Sequence, residues 1–472
     1  MSVAIIGAGI TGLTAAYRLR RAGVPVTVYE GSARAGGVIQ TTRADGFLAE
    51  SGPNTLLETS PIIGELVREL GLESKRLYSD PAAKNRYVVR GSRPVPVPDT
   101  AGGMMTSRLF SAGAKFRLVT EPFVRRAAPE LEESVAQFVL RRLGREFLDY
   151  AINPMIAGIY AGDPARLSVT HAFPKLRATE QRYGSLILGQ ILGARERARS
   201  REVSKQSAPK LSFTEGLQTL IDALHHALTD AVQLNSSVRA LRSRQGHWEV
   251  DISSAGRDVT CRHEAVLLAG TTHQLAGIQL EAAKNLSLAP LGEIHYAPAA
   301  SLVLGFRREE VAHPLDGFGV LIPEVERLNM LGAIFSSALF PNRAPAGHVT
   351  ITCYAGGLRA PALATLATAP LVELALADLR TLLGVRGRPV FVHHTSYPKA
   401  IPQYEVGFGR FRALMDNLEA GAPGLFLAGH YRDGISLSDS LVSGAHVAER
   451  LGAYVAGWPP EAALASATEL TT

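Results

Sequence analysis

Apolar positions change their period along this chain, and each change marks an element. The first case is "SVAIIGAGITGLTAAYRLRRAGVPVTVYEGS". Val3 to Ile6 form an uninterrupted apolar run, the pattern of a short strand buried on both faces. Leu13, Ala16 and Tyr17 then fall at i, i+3 and i+4, which predicts a helix, and Gly23 predicts its end. Val24 to Tyr29 predict a second strand, closed by Glu30. The segment "PGLFLAGHYRDGISLSDSLVSGAHVAERL" repeats the change of period far downstream. Leu425 to Ala428 read as a strand and Gly429 as the start of a turn. A helix follows from about Ser436, with Leu441, Val442, Ala445 and Val447 on its apolar side. Between these ends, "AVQLNSSVRALRSRQGHWEVDI" predicts paired strands around Gly246. "AVLLAGTTHQLAGI" predicts a strand that returns to the first sheet.

The glycines of the first segment carry chemistry. Gly7, Gly9 and Gly12 complete G-x-G-x-x-G between a strand and a helix. Gly7 permits the tight turn, Gly9 lets a pyrophosphate approach the backbone, and Gly12 lets helix and strand pack. Free N–H groups and the dipole at the helix N-terminus favour the anion. Glu30, about 20 residues on, is placed to accept ribose hydroxyls, and its charge disfavours a 2′-phosphate. The segment predicts dinucleotide binding. A second glycine-rich stretch, "AINPMIAGIYAGDPARLSV" (151–169), has Gly158 and Gly162 between Pro154 and Pro164. The anionic ligand is already served by the first turn. The stretch is therefore either a connection between helices or bare backbone that something flat must approach.

Composition narrows the class. The chain has 472 residues, 46% of them hydrophobic, enough for about two or three domains and a large core. Its only cysteines, Cys261 and Cys353, exclude a disulfide framework and fit a reducing compartment. The histidines lack zinc-type spacing, and no metal site is expected. No apolar run is long enough to span a membrane, and the N-terminus lacks the basic region of a signal peptide. Between Met104 and Lys210 there are 18 Lys/Arg and 10 Asp/Glu, a net of +8; the whole chain is +6, which leaves −2 elsewhere. The positive charge sits in one helix-like insert. Such a patch suits anionic lipid or an anionic substrate, and an arginine-rich solvated face gives the same count. Nucleic acid is not expected as a partner.

The continuation "GSARAGGVIQTTRADGFLAESGPNT" resembles the FAD-binding flavoprotein oxidases of the amine-oxidase superfamily. That resemblance implies FAD, with Arg34, Gly36 and Gly37 at the diphosphate and ribityl chain and Asn54 also at the cofactor. It implies that the strand containing Val238 offers its backbone to the adenine. The downstream segment would close over the isoalloxazine through Gly429, Gly434, Ile435 and Ser436, with a helix N-terminus that stabilises negative charge on reduced flavin. Many relatives have Asn or Asp where this chain has His430.

The middle of the chain narrows the resemblance. "KNRYVVRGSRPVPVP" (84–98), "AINPMIAGIYAGDPARLSV" (151–169), "PLDGFGVLIP" (314–323), "LGAIFSSALFPNRAP" (331–345) and "TCYAGGLR" (352–359) resemble the oxygen-dependent protoporphyrinogen oxidase family, up to about Gly452. The implied substrate is a porphyrinogen, an apolar macrocycle with propionate arms. Arg86 matches the family's propionate-binding arginine, and a guanidinium suits a carboxylate by its bidentate fork. Leu321, Ile334 and Tyr354 match wall positions; the family often has Phe at the third. Read without the resemblance, these three are core residues and Arg86 is a surface arginine. Gly158 matches a glycine whose carbonyl faces the pyrrole N–H groups.

The implied reaction is oxidation of protoporphyrinogen IX to protoporphyrin IX in heme biosynthesis. It runs as three two-electron transfers to the flavin N5, with dioxygen as acceptor and peroxide released. The cofactor carries the chemistry, so no catalytic acid or base is assigned. Oxidation of coproporphyrinogen III to coproporphyrin III is the main alternative. A flavin amine oxidase or desaturase and a non-catalytic tetrapyrrole carrier are the others.

The expected fold class is α/β: a discontinuous FAD-binding Rossmann-like domain, a mixed-sheet substrate domain and a helical insert. The FAD-binding domain takes 1–80, 210–274 and 399–455, and the substrate domain 81–102 and 275–398. The basic insert is 103–209, and 456–472 is a tail. Residues 102–126 mix Met, Leu and Phe with Lys and Arg, so they predict either an amphipathic bilayer contact or a helix pair lining the pocket. The expected location is the cytoplasm, with attachment to the cytoplasmic face of the membrane and a homodimer both left open.

Overall fold

A computed structural model describes residues 2–128, 130–193, 205, 207–254, 256–282 and 285–457. The expected tail beyond Gly457 and residues 194–204 of the insert lie outside the described residues. Three bodies organise the rest.

The first is a five-stranded parallel sheet in the order Val232–Gln233, Val26–Tyr29, Val3–Ile6, Ala265–Leu268, Leu425–Leu427. Strands from four separated parts of the chain make it up. Val3–Ile6 lies centrally and is buried throughout, as its unbroken apolar run requires. The second strand starts later than its apolar pattern predicts. Pro25 has no N–H for a ladder and instead accepts from Val3 N at 2.9 Å. Helix Ile10–Arg21 packs on this sheet and against helix Leu437–Ala456. Paired strands Ser236–Arg244 and His247–Ser254 turn at Gly246, with Arg257–His263 and Gln279–Glu281 completing their sheet.

The second body is a seven-stranded mixed sheet. Its order is Phe391–Pro402, Tyr296–Arg307, His348–Gly356, Met330–Ile334, Gly317–Leu321, Asn85–Val89, Pro94–Pro96. Only the pair Gly317–Leu321 with Asn85–Val89 is parallel. Alternation sorts its side chains. Leu302, Val320, Ala333 and Cys353 point to one face and form a core with Leu371, Ala375, Leu376 and Leu379 of helix Thr368–Leu383. The opposite face is turned toward the other two bodies. There Phe391 stacks on Phe47 of the nucleotide domain at 4.8 Å, and the Ser51 hydroxyl meets His393 Nε2 at 2.9 Å.

The third body is the helical insert. It includes Ala101–Thr106, Ala112–Thr120, Val135–Arg142, Asn153–Tyr160, Pro174–Tyr183 and Leu186–Leu192. The glycine-rich stretch is mostly helix here: a π-turn over Leu148–Ile152 runs into Asn153–Tyr160, which ends at Ala161 in the left-handed region (φ 48°). Several of the arginines counted as basic surface are internal. Arg142 is fully buried and bonds Glu121 Oε1 at 2.6 Å and Glu180 Oε1 at 2.8 Å, both carboxylates being fully buried too. Arg141 bridges Glu180 to Glu133, and Arg177 Nη1 bonds Glu180 Oε2 at 3.0 Å. These pairs tie the helices together beside an apolar cluster that includes Phe110, Phe138, Phe147 and Ile156.

Burial alone would raise the Glu121 and Glu180 pKa values. Hydrogen bonds from Ser185 and two backbone N–H groups to Glu121, and from Arg141 and Arg142 to Glu180, outweigh it, so both are lowered. Lowered folded values mean that the stabilisation is complete above the ordinary carboxylate range. It is lost as pH falls below that range, through the folded values. Arg142→Met removes the ionic partner of buried Glu121 and one of the three of Glu180, and should cost about 3–5 kcal/mol. Urea denaturation checks this: the loss should be large at pH 7 and shrink under acid, and an unchanged midpoint at pH 7 would show the network to be incidental.

Candidate functional site

The first turn is built for an anion. Gly7 has φ +105°, and a Cβ there would stand 3.0 Å from Gly270 N. A Cβ on Gly12 would stand 2.0 Å from the Gly7 carbonyl oxygen. Both positions therefore exclude side chains, for backbone strain and for packing. Gly9 differs, because a Cβ there would meet nothing within 4 Å. It is the N-cap of Ile10–Arg21, with no side-chain cap on the first-turn N–H groups. An open cradle under uncapped N–H groups fits a diphosphate. The turn lies at the carboxyl ends of Val3–Ile6 and Ala265–Leu268, where the strand order reverses, the usual ligand crevice of such sheets.

Glu30 stands beside this turn. Its carboxylate accepts from Ala8 N at 2.8 Å, Ser32 N at 2.9 Å and the Ser32 hydroxyl at 2.7 Å. The Arg34 guanidinium donates to the carbonyls of Ala35 and Ile39 at 3.1 Å, and to that of Gly37. In this structure it shapes the 35–39 loop. Gly36 (φ +106°) donates its N–H to the Ala8 carbonyl at 2.8 Å, and a Cβ on Gly37 would lie 3.7 Å from Gly9 Cα. The two glycine turns are therefore adjacent. Val238 precedes a bulge in Ser236–Arg244, and Ser236 N donates to the Glu30 carbonyl at 2.8 Å, so the bulge opens close to the acid.

The downstream loop meets the same cleft. Gly429 has φ +125°; a Cβ there would come within 3.6 Å of Thr11 Oγ1. Its N–H donates to the Ser443 hydroxyl at 2.9 Å, and that hydroxyl donates to Asp433. Gly434 (φ +127°) leaves no room for a side chain beside Asp439, and its N–H donates to the Tyr404 hydroxyl at 3.1 Å. Ile435 packs between the cores of the nucleotide domain and the insert. Ser436 caps Leu437–Ala456 in a capping box with Asp439. Ser443 and Tyr404 organise this loop, and sequence reading missed both. Ser443 lies on a helix whose periodicity marks it only as core, and Tyr404 lies between Phe391–Pro402 and the next helix, where there is no periodicity to mark it.

The residues matched to a substrate share one sheet face. Register places Leu321, Gly332, Tyr354 and Ser301 in one cross-strand row, and Arg86, Gly319, Ile334 and Thr352 in another on the same side. Arg86 is exposed, while Leu321, Ile334 and Tyr354 are half-buried. Gly158 faces them from the insert. A Cβ on it would lie 2.6 Å from Leu321 Cδ2, and one on Gly332 would lie 3.4 Å from the same atom. Asn54 joins the two halves of the site, since its amide donates to the Tyr354 hydroxyl and its oxygen accepts from Ser336 at 3.5 Å. Burial raises the Tyr354 phenol well above its usual value, so it stays protonated. Lys210, another residue that sequence reading missed, lies near Arg86. Burial, then repulsion from Arg86, lower its pKa, and its ammonium stands 5.8 Å from the Phe318 ring.

Comparison with known proteins follows the same lines. The family model for flavin containing amine oxidoreductase matches residues 10–452. Protoporphyrinogen oxidase 2, chloroplastic/mitochondrial, of Arabidopsis thaliana is 35% identical over 96% of this chain and 94% of that protein.

The chain belongs to the flavin containing amine oxidoreductases, in their protoporphyrinogen oxidase branch.

Coproporphyrinogen III oxidase of Bacillus subtilis (strain 168) is similar at 28% identity, over 94% of this chain and 96% of that one. A crystal structure from Exiguobacterium sp. 255-15 shares the fold, with TM-score 0.79 and 23% identity over 96% of this chain and 98% of the other. The chain is thus an FAD-dependent oxidoreductase, and the cradle at Gly9 with its neighbouring acid fits that cofactor.

Gly12→Ala puts a methyl against the Gly7 carbonyl and should displace the turn. Purified protein should then carry little flavin, with FAD affinity reduced about tenfold or more, the equivalent of ~1.4 kcal/mol or above. Full FAD content, read from the visible spectrum, would show that the turn adapts.

Proposed function

We propose that this enzyme oxidises protoporphyrinogen IX to protoporphyrin IX in tetrapyrrole biosynthesis, with dioxygen as acceptor. One observation carries this reading: Arg86, Leu321, Ile334 and Tyr354 lie on one sheet face opposite Gly158, and Asn54 joins that face to the flavin domain. The match to plant protoporphyrinogen oxidases supports it.

Bound FAD supplies two-electron oxidation three times per macrocycle, and dioxygen removes the electrons as hydrogen peroxide. The chain's residues position the substrate. Arg86 holds a propionate through its guanidinium. Leu321, Ile334 and the Tyr354 ring exclude water from the macrocycle. The bare backbone at Gly158 lets its carbonyl accept from pyrrole N–H groups. No side chain is assigned as acid or base.

A second substrate has specific support. Lys210 beside Arg86 adds a cation, and four propionates need more cations than two. The Bacillus subtilis relative is named a coproporphyrinogen III oxidase. Aerobic assay with both porphyrinogens, followed by porphyrin fluorescence, separates the readings. Protoporphyrinogen should turn over faster. Gly158→Val should cut its kcat/KM roughly 10–200-fold, as a misfit of methylene size does, while FAD content stays near normal. Equal loss of flavin and turnover would reduce Gly158 to a packing residue. No rate above autoxidation in the wild-type enzyme would reject both substrates.

We also infer peripheral contact with the cytoplasmic face of a membrane through the insert. Among the described residues no helix is long and apolar enough to cross one. Phe116, Val119 and Phe123 are 71%, 59% and 89% exposed, among exposed Arg108, Arg117, Arg125 and Arg126. Each phenyl ring gains about 1.5–3 kcal/mol on burial, and arginines favour anionic headgroups. Protein should float with anionic vesicles, and Phe116→Ser/Phe123→Ser should stay behind. Wild-type protein left at the bottom of the gradient would exclude the contact.

A further inference from the structure

His430 follows Gly429 in the cofactor loop, and its ring has one fixed partner. Its Nε2 lies 3.1 Å from the Tyr296 hydroxyl. That hydroxyl already accepts from Thr272 N at 3.2 Å and from the Thr272 hydroxyl at 3.3 Å. A phenol offers two lone pairs and one proton. With both lone pairs engaged, the proton is left for His430. Nε2 is then the acceptor, and the ring's own proton sits on Nδ1. Burial, and secondarily His273, lower the His430 pKa to about 4, so the ring is neutral near pH 7.

The lock is rigid. Tyr296 is held edge-on between His273, at 5.0 Å and 89°, and His430, at 5.8 Å and 82°. The Tyr404 hydroxyl donates to the His430 carbonyl at 2.5 Å, and Gly429 is tied to Ser443. Nδ1 makes no hydrogen bond among the described residues, and His430 is half-buried. Its neighbour Gly429 faces Thr11 in the first turn of the glycine-motif helix, whose uncapped N-terminus fits a diphosphate.

We propose that Tyr296 is a positioning residue that holds His430 as its neutral Nδ1–H tautomer, so that His430 presents one directed N–H to an oxygen of the ribityl–diphosphate chain of bound FAD. A free histidine beside a diphosphate would gain a proton and bind as a mobile imidazolium. The lock replaces that charge with a fixed dipole. This inference rests on FAD binding and not on which porphyrinogen is used, so an assay failure with either substrate leaves it intact.

The test is a double-mutant cycle on the full-length apoprotein, reconstituted with FAD and read by flavin fluorescence. Tyr296→Phe should weaken FAD binding about fivefold or more, the size of one neutral hydrogen bond. In a His430→Asn background the same change should do nothing, because an amide donor needs no tautomer lock. The flavin midpoint potential should stay unchanged throughout, since the acceptor lies off the ring. Equal loss in both backgrounds, no loss in either, or a shifted potential would each overturn the proposal. Should Tyr296→Phe fail to fold, His430→Leu against His430→Asn decides. Affinity lost with Leu and kept with Asn supports the donor, and equal affinities overturn it.

Discussion

The proposed cofactor site depends on one contact between two helices that lie far apart in sequence. A Cβ on Gly444 would stand 2.4 Å from the Thr11 carbonyl oxygen, so Leu437–Ala456 approaches Ile10–Arg21 at a distance that only glycine allows. The Thr11 hydroxyl closes the crossing by donating to the Ser440 carbonyl at 2.9 Å. Both helix N-termini are thereby brought to one cleft. One is capped only by Gly9, and the other follows the Gly429–Ser436 loop. In the proposed cofactor site, the two dipoles would meet an anionic, redox-active ligand as a pre-set electrostatic environment. A bulkier residue at Gly444 would separate them.

The sheet face proposed for the substrate is placed by the same logic of close approach. The seven-stranded sheet docks on the flavin domain through Phe47 with Phe391, Ser51 with His393 and Asn54 with Tyr354. The insert closes the opposite side with Gly158 against Leu321. The helix bearing Gly158 is anchored in the insert's apolar cluster through Ile156 and Tyr160, and buried ion pairs around Arg142 and Glu180 tie neighbouring helices to one another. Positioning by rigid bodies suits a reaction whose chemistry is the cofactor's.

The parallel sheet was legible in the sequence because its strands are short apolar runs punctuated by glycines. Val3–Ile6 with Gly7, and Leu425–Leu427 with Gly429, each mark a strand and the turn after it. Pro25 shifted one boundary, for want of an N–H. Residues 151–169 resisted reading because Gly158 sits inside a helix that glycine disfavours, and its reason lies across the site in Leu321. The partner of His430 was likewise invisible. Tyr296 lies 134 residues away and is joined to it only by a side-chain contact. Arginine counting gave the insert's net charge but not its distribution, since Arg142 and Arg177 are buried among carboxylates.

Anaerobic addition of protoporphyrinogen to the FAD-loaded enzyme tests the central claim most directly. The oxidised flavin band should bleach on addition, and admitting air should restore it as porphyrin absorbance rises. A flavin band that stays unchanged with porphyrinogen bound would contradict its oxidation by this enzyme.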